Sequence, residues 1–205
     1  MERRKLLTGS AAATLLLGAA ALLPGHTPYR QWVVYRKRHL LILASKQDKQ
    51  AYTLSRALAG HLAAILPASR ARPSRAANSE RMASLLSTGQ MDVAVLTPAE
   101  AGAMRAGEGP SQGYGPIDLR LLLELDDRHL LVARAAFPAA HAYRVGKALD
   151  LAPDQEALPG LRLPREGAVL ALHPGIAAYI DGQPEPELVE DADAEIEHEH
   201  HGPSD

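Results

Sequence analysis

The chain has 205 residues, of which 46% are hydrophobic, and this is enough for one packed domain of ordinary size. The absence of cysteine excludes disulfide bonds, thiolate metal sites and cysteine nucleophiles, and an aromatic content of 4% leaves no stacking platform for nucleic acid. The net charge of −2 hides an asymmetry, because residues 184–205 hold nine acidic and no basic residues while residues 25–183 hold 19 basic and 14 acidic ones.

Residues 1–24 have the layout of an export signal. A basic head, Met1–Lys5, precedes the uncharged run Leu6–Leu23 of apolar and small residues. The pair Arg3-Arg4 resembles a twin-arginine signal. The alternative is an uncleaved N-terminal anchor, since 18 residues in a helix span about 27 Å, close to the hydrocarbon thickness of a bilayer. We therefore expect a periplasmic protein, released by cleavage or held at the membrane.

Residues 25–182 predict one α/β domain that begins with alternating strands and helices. Short apolar runs predict strands at 39–44 and 91–96, and a weak alternation predicts another at 69–74. An apolar stripe predicts the helix after the first strand; it consists of Leu54, Leu58, Leu62, Ile65 and Leu66. Thr97-Pro98-Ala99-Glu100 is a capping box that starts a later helix. This alternation predicts a mostly parallel sheet flanked by helices.

The second half of the domain has a different pattern. Two strands are predicted at 119–125 and 130–135, separated by the polar turn Asp126-Asp127-Arg128. A helix at 139–151 follows, and then an irregular connector at 153–166. A short strand at 168–172 and a short helix at 174–179 complete the domain. Residues 183–205 are predicted to be a disordered acidic tail that contains histidine.

Three sequence blocks occur in the order of a known receptor family: ASLLSTGQMDVAVL at 83–96, AYRVGKAL at 142–149 and HPGIAAY at 173–179. With the strand and helix pattern of 40–104, they resemble the TAXI receptors (TRAP-transporter-associated extracytoplasmic immunogenic proteins). The resemblance implies a fold like that of periplasmic binding proteins and a role in TRAP-type transport. Only residues 125–130 stand where the family places its second lobe, so we expect a single lobe.

A ligand of such a lobe is expected outside the carboxyl ends of its parallel strands. Polar and cationic side chains that favour an anion, a small carboxylate above all, occur there. These candidate ligand residues are Ser45, Lys46, Arg75, Asn78, Ser79 and Thr97. The alternative is that Asn78 and Thr97 only cap helices and that the cations are solvated.

The sequence offers little for metal binding or catalysis. His198, His200 and His201 lie among glutamates in the tail and are candidate ligands of a weak metal site. No catalytic or phosphate-binding motif is present, and Asp126-Asp127 falls in a turn expected to be exposed. We therefore predict that the protein is not an enzyme and needs no cofactor.

The leading hypothesis is an exported TAXI-like solute receptor lobe that binds a small carboxylate and works with a TRAP permease or another membrane or exported partner. The alternative is a degenerate receptor that serves as an accessory protein-protein interaction module. A third hypothesis is weak metal binding through the tail.

Overall fold

A computed structural model describes residues 39–151, 158–164 and 170–188 of the chain. Strands and helices alternate in its first half. The strands are β1 (Leu41–Ser45), β2 (Arg72–Ala76), β3 (Val93–Leu96), β4 (Leu119–Glu124) and β5 (Leu130–Arg134). The helices are α1 (Lys49–Ile65), α2 (Ser79–Ser87), α3 (Pro98–Ala106), α4 (Ala139–Asp150) and α5 (Pro174–Ile180).

The five strands form one open sheet in the order β2-β1-β3-β5-β4. β1 pairs in parallel with β2 and with β3, whereas β5 is antiparallel to both β3 and β4. Four strands therefore run in one direction, and only β5 opposes them. The predicted α/β class, with a sheet of mostly one strand direction flanked by helices, is confirmed.

Apart from the outer strand β2, the sheet is buried on both faces, which gives the described part of the chain two apolar layers. Helices α1, α4 and α5 pack on one face, and α2 and α3 pack on the other. β1 shows why the continuous apolar run was needed: Ile42 and Ala44 face α1, while Leu43 faces α2 and α3. In β3 the same alternation places Val93 and Val95 in the layer of α1, and Ala94 and Leu96 in the layer of α2 and α3.

Two details of the predicted α1–β2 region are wrong. Ile65, predicted on the buried stripe of α1, is 40% exposed. The second strand begins at Arg72 and not at Ser69, because residues 67–69 form a single 3-10 turn and Arg70 adopts a left-handed φ of 46°. Pro67, which begins that turn, has no amide hydrogen to continue α1.

The polar turn after β4 is a tight hairpin, as predicted. β4 ends at Glu124 and β5 begins at Leu130, so only residues 125–129 connect them. A bulge shifts the register between Leu121 and Leu123, which pair with Val132 and Leu131. On the outer side of β4, Leu172 forms a single parallel bridge with Leu121, where the sequence predicted a short strand.

Helices α4 and α5 pack at very close range. A Cβ built on Gly175 would lie 2.0 Å from the carbonyl oxygen of Ala139 and 2.8 Å from the amide nitrogen of Tyr143. A Cβ built on Gly146 would lie 2.6 Å from Cδ1 of Ile176. Glycine at position 175 allows the two backbones to approach each other, and glycine at position 146 leaves room for the Ile176 side chain.

The predicted export segment at 1–24 and the tail beyond Leu188 lie outside the described residues, as do parts of the connector, 152–157 and 165–169. Among the helices that the structure describes, none is both long and apolar enough to cross a membrane.

Candidate functional site

The carboxyl ends of β1, β2, β3 and β4 meet at one edge of the sheet, which we call the carboxyl edge. The loop after β1, the N-termini of α2 and α3, and the β4–β5 hairpin all lie along it. Ser45 ends β1 and pairs with Ala76 at the end of β2, and Leu96 ends β3 beside them. The predicted ligand residues therefore belong to the correct edge of the fold.

Thr97 is occupied by helix capping. Its hydroxyl accepts a hydrogen bond from the amide of Glu100 at 3.2 Å, and the Glu100 carboxylate accepts one from the amide of Thr97 at 3.0 Å. This is the predicted capping box, and it satisfies two free amides at the start of α3. The contacts of Thr97 and Glu100 are therefore those of a helix cap.

Ser79 joins the same network from the neighbouring helix. Its hydroxyl donates to the other carboxylate oxygen of Glu100, which ties the N-terminus of α2 to that of α3. Asn78 caps α2 by accepting the amide of Arg81 at 2.8 Å. A carboxylate of the protein itself, that of Glu100, therefore occupies the position where two helix N-termini favour negative charge.

Ser45 and Lys46 remain at the loop after β1. Ser45 is 4% exposed and its hydroxyl accepts the amide of Gln47 at 3.1 Å, so it shapes the turn. The backbone of Lys46 donates to the carbonyl of Ala76 at 2.8 Å, while its side chain is exposed. Of the predicted ligand residues at this edge, Lys46 is the one whose side chain points freely into solvent.

Arg75 does not join the others. It lies within β2 opposite Ala44, a register that places its side chain on the α1 face of the sheet. Its guanidinium stacks over the ring of Tyr52 in α1, 4.4 Å from the ring centroid. Since Ser79 and Thr97 head the helices of the opposite face, the structure does not bring Arg75 together with them.

The most unusual group at the carboxyl edge is one that the sequence did not point to. His129, the last residue of the β4–β5 hairpin, is 1% exposed and lies between two carboxylates. Its Nε2 is 2.9 Å from Oδ2 of Asp48, and its Nδ1 is 2.9 Å from Oδ1 of Asp126. Asp48 also accepts the amide of Ala51 at 2.9 Å, which caps α1. The imidazole thus ties the start of α1 to the hairpin.

These contacts change the protonation of all three groups. Burial disfavours the imidazolium, but the two carboxylates outweigh it and raise the pKa of His129 above 6.5. Desolvation also opposes ionisation of Asp48 and Asp126. Backbone amides and His129 outweigh that effect and lower the pKa of each carboxyl below 3.8. Both ring nitrogens donate when the ring is protonated, so an imidazolium fits this position.

The sequence analysis saw Asp126 and Asp127 only as a carboxylate pair in an exposed turn. Asp127 is 94% exposed, whereas Asp126 turns back onto the ring of His129. The spacing of Asp126 three residues before His129 is a local signal for this contact. Asp48 is 81 residues distant in the chain, and only the fold brings it to the other ring nitrogen.

His173 is the second fully buried histidine in the described part of the chain. It caps α5, with Nδ1 accepting the amide of Gly175 at 3.3 Å, and it packs edge-on against Phe137. Burial lowers the pKa of His173 below 6.5, which favours the neutral ring.

The predicted metal ligands His198, His200 and His201 lie outside the described residues. Across 39–151, 158–164 and 170–188, no group of three or more histidine, aspartate or glutamate side chains is arranged to hold a metal ion.

No family model matches the chain, and no curated protein is significantly similar to it.

Proposed function

We propose that this protein is an exported, TAXI-like receptor lobe that acts as an accessory interaction module. In this proposal the carboxyl edge of the sheet docks on another exported or membrane protein, with a TRAP-type permease as the first candidate. The observation that carries the proposal is the closed β4–β5 hairpin. Residues 125–129 connect two paired strands directly, at the place where the resemblance to the family would put a second lobe.

The hairpin argues against enclosure of a solute. A two-lobed receptor buries a small ligand by closing a cleft around it, and burial of most of the ligand surface provides the affinity. Here the hairpin is fastened to the first lobe by His129 and Asp48. The carboxyl edge is thus an open surface within the described part of the chain, and open surfaces suit partners that cover a large area.

The helix N-termini at this edge also favour a role other than anion capture. Glu100 already supplies a carboxylate to the start of α2 and α3. A second carboxylate placed there would meet like charge. The network of Ser79, Thr97 and Glu100 instead makes a rigid, hydrogen-bonded floor for a docking surface.

Site-specific photo-crosslinking in the native host tests the proposal. A photoreactive amino acid is placed at Gln47 or Asp127, which are exposed on the carboxyl edge. The control position is Asp118, which is 63% exposed just before β4 at the opposite edge. We expect a discrete crosslinked product from the two carboxyl-edge positions only. Equal products from Asp118, or none from either carboxyl-edge position, would contradict the proposal.

A second candidate, capture of a small carboxylate on the open surface, is supported by Lys46. Its side chain is exposed and makes no ion pair among the described residues. In a thermal-shift screen of mono- and dicarboxylates, this candidate requires stabilisation that Lys46→Ala removes. Lys147→Ala, an exposed lysine on α4, is the matched control and should keep the shift.

A further inference from the structure

The charges of the described chain are separated in space. Residues 39–81 contain seven lysine and arginine residues but only two acidic ones, Asp48 and Glu80. Six of the seven cations lie on β2, on the first half of α1 or in the loops that lead into them, in a region we call the basic edge. It consists of Lys46, Lys49, Arg56, Arg70, Arg72 and Arg75.

The basic edge wraps around the outer strand β2. Arg75 lies on the α1 face of that strand, whereas Arg72, which pairs with Leu41, lies on the opposite face. β2 pairs with β1 alone among the described strands, so it is an outer strand of the sheet. The Arg75 guanidinium on the ring of Tyr52 shows that this stripe of α1 borders β2. Lys49 and Arg56 lie three residues before and four after Tyr52, and therefore share its side of the helix.

No cation of the basic edge has an anionic partner in the part of the chain that the structure describes. Elsewhere, arginines are paired: Arg120 with Asp118, Arg134 with Asp92, and Arg144 with Glu185. All six cations of the basic edge are exposed. The edge is thus a concentration of unneutralised positive charge, which costs free energy through mutual repulsion and favours an anionic occupant.

The last described residues of the chain lie against α4. After α5 the chain turns back across α4, where the carbonyl of Gln183 accepts the hydroxyl of Tyr143 at 3.2 Å and Glu185 pairs with Arg144. Helix α4 packs against α1 as well as against α5. The described chain thus ends close to α4, which in turn contacts the helix that carries Lys49 and Arg56.

We propose that residues 189–205 dock on the basic edge of the same molecule and neutralise it. This segment contains seven acidic residues and no lysine or arginine. Its 17 residues span up to about 55 Å when extended, against a radius of gyration of about 14 Å for a domain of this size. The basic edge is therefore within reach, and the tether gives the tail a high effective concentration there.

The docked tail acts as an internal competitor. An anionic partner or surface that binds the basic edge must displace it, so tail removal should strengthen such binding. This inference goes beyond the proposed function and does not depend on it. The crosslinking positions at Gln47 and Asp127 can fail to yield a partner while the tail still docks, and the reverse also holds.

Paramagnetic relaxation in the full chain tests the docking. The chain has no cysteine, so Ala194→Cys introduces a single site for a nitroxide label in the acidic segment. We expect the label to broaden the amide signals of Arg56 and Arg72 but not those of β4, at the other end of the sheet. At 1 M salt, where the Debye length is about 3 Å, the broadening should disappear.

Two charge-matched variants locate the contact. Arg56→Gln/Arg72→Gln removes two charges from the basic edge and should abolish the broadening at low salt. Arg128→Gln/Lys147→Gln removes two exposed charges elsewhere and should retain it. Uniform broadening, or equal loss in both variants, would overturn the proposal.

Two further measurements exclude other occupants. In one, spin-labelled protein is mixed with an excess of isotopically enriched protein that carries no spin label. Broadening that persists in this mixture would assign the contact to a second copy and overturn docking in the same molecule. With phosphatidylglycerol vesicles as a probe, the chain ending at Leu188 should bind more tightly than the full chain. Equal binding would mean that the tail does not cover the edge.

Discussion

His129 has the most constrained side chain at the carboxyl edge, because both of its ring nitrogens face a carboxylate at 2.9 Å. A buried imidazole with only one such partner would often be neutral. With Asp48 and Asp126 on opposite sides, the charged form is favoured despite burial. When protonated, the ring donates to both carboxylates and links the loop after β1 to the β4–β5 hairpin.

We expect His129→Gln to lower the free energy of unfolding by about 2–3 kcal/mol near pH 5.5, since it removes hydrogen bonds to two charged groups. The raised pKa of His129 means that its contribution is complete below pH 6.5 and is lost as the pH rises through the folded-state pKa. The lowered pKa values of Asp48 and Asp126 mean that their contributions are present above pH 3.8 and are lost as the pH falls through the folded-state values. Urea denaturation of both proteins at pH 5.5 and pH 9 measures the difference.

The matched control is His61→Gln, on a partly exposed histidine of α1 that makes no ion pair within the described chain. It should change stability little at either pH. A difference between wild type and His129→Gln that stays constant from pH 5.5 to pH 9 would show that the ring is not charged in the folded protein.

Among the elements, helix N-termini and one helix pair do most to organise the lobe. Asp48, Asn78, Thr97 and His173 each cap the helix that follows a strand or a turn, with a side-chain acceptor for a free backbone amide. The α4–α5 pair is different, because its packing depends on the absence of a side chain. Gly175 allows the start of α5 to touch the backbone of α4.

We expect Gly175→Ala to destabilise the protein by about 3 kcal/mol or more, because its Cβ would collide with the carbonyl of Ala139. Gly60→Ala is the matched control on α1, where nothing lies within 4 Å of the added Cβ. It should stabilise the helix by about 0.5–1 kcal/mol. Thermal and urea denaturation of the two variants should therefore move in opposite directions. A mild effect of Gly175→Ala would mean that α5 is free to move away from α4.

At the scale of the whole molecule, the described chain is one lobe built on one sheet. The four strands other than β2 contribute to both apolar layers. The hairpin at residues 125–129 leaves no second lobe in the place that the TAXI resemblance assigns to it. Without two bodies that move relative to each other, hinge closure around a ligand is not available to this part of the chain.

Small-angle scattering provides the corresponding test. We expect the radius of gyration to stay the same, within error, when mono- or dicarboxylates are added at saturating concentration. Lys46→Ala should behave identically, because no closure depends on that side chain. A contraction on addition of carboxylate would show that two parts of the protein close around it and would refute the single-lobe mechanism.

Local sequence patterns predict much of the secondary structure of the lobe. The buried runs at β1 and β3, the capping box at Thr97, the cap at Asn78 and the β4–β5 turn each appear at or near their predicted positions. The start of β2 was misplaced by three residues, because a 3-10 turn and the left-handed Arg70 leave no periodic signal. Local signals succeed where the interaction spans a few residues, such as a capping box.

The amino-acid sequence by itself determined the α/β class, the buried strands and the charge imbalance between the body and the acidic C-terminal segment, because these follow from periodicity and composition. Only the tertiary structure decided which polar groups meet: it separated Arg75 from Ser79 and Thr97, and it joined His129 to Asp48 across 81 residues. The physical reason is that periodicity reports which face a residue occupies. The partner across a sheet edge depends on strand order and on the paths of loops, which no short stretch of sequence encodes.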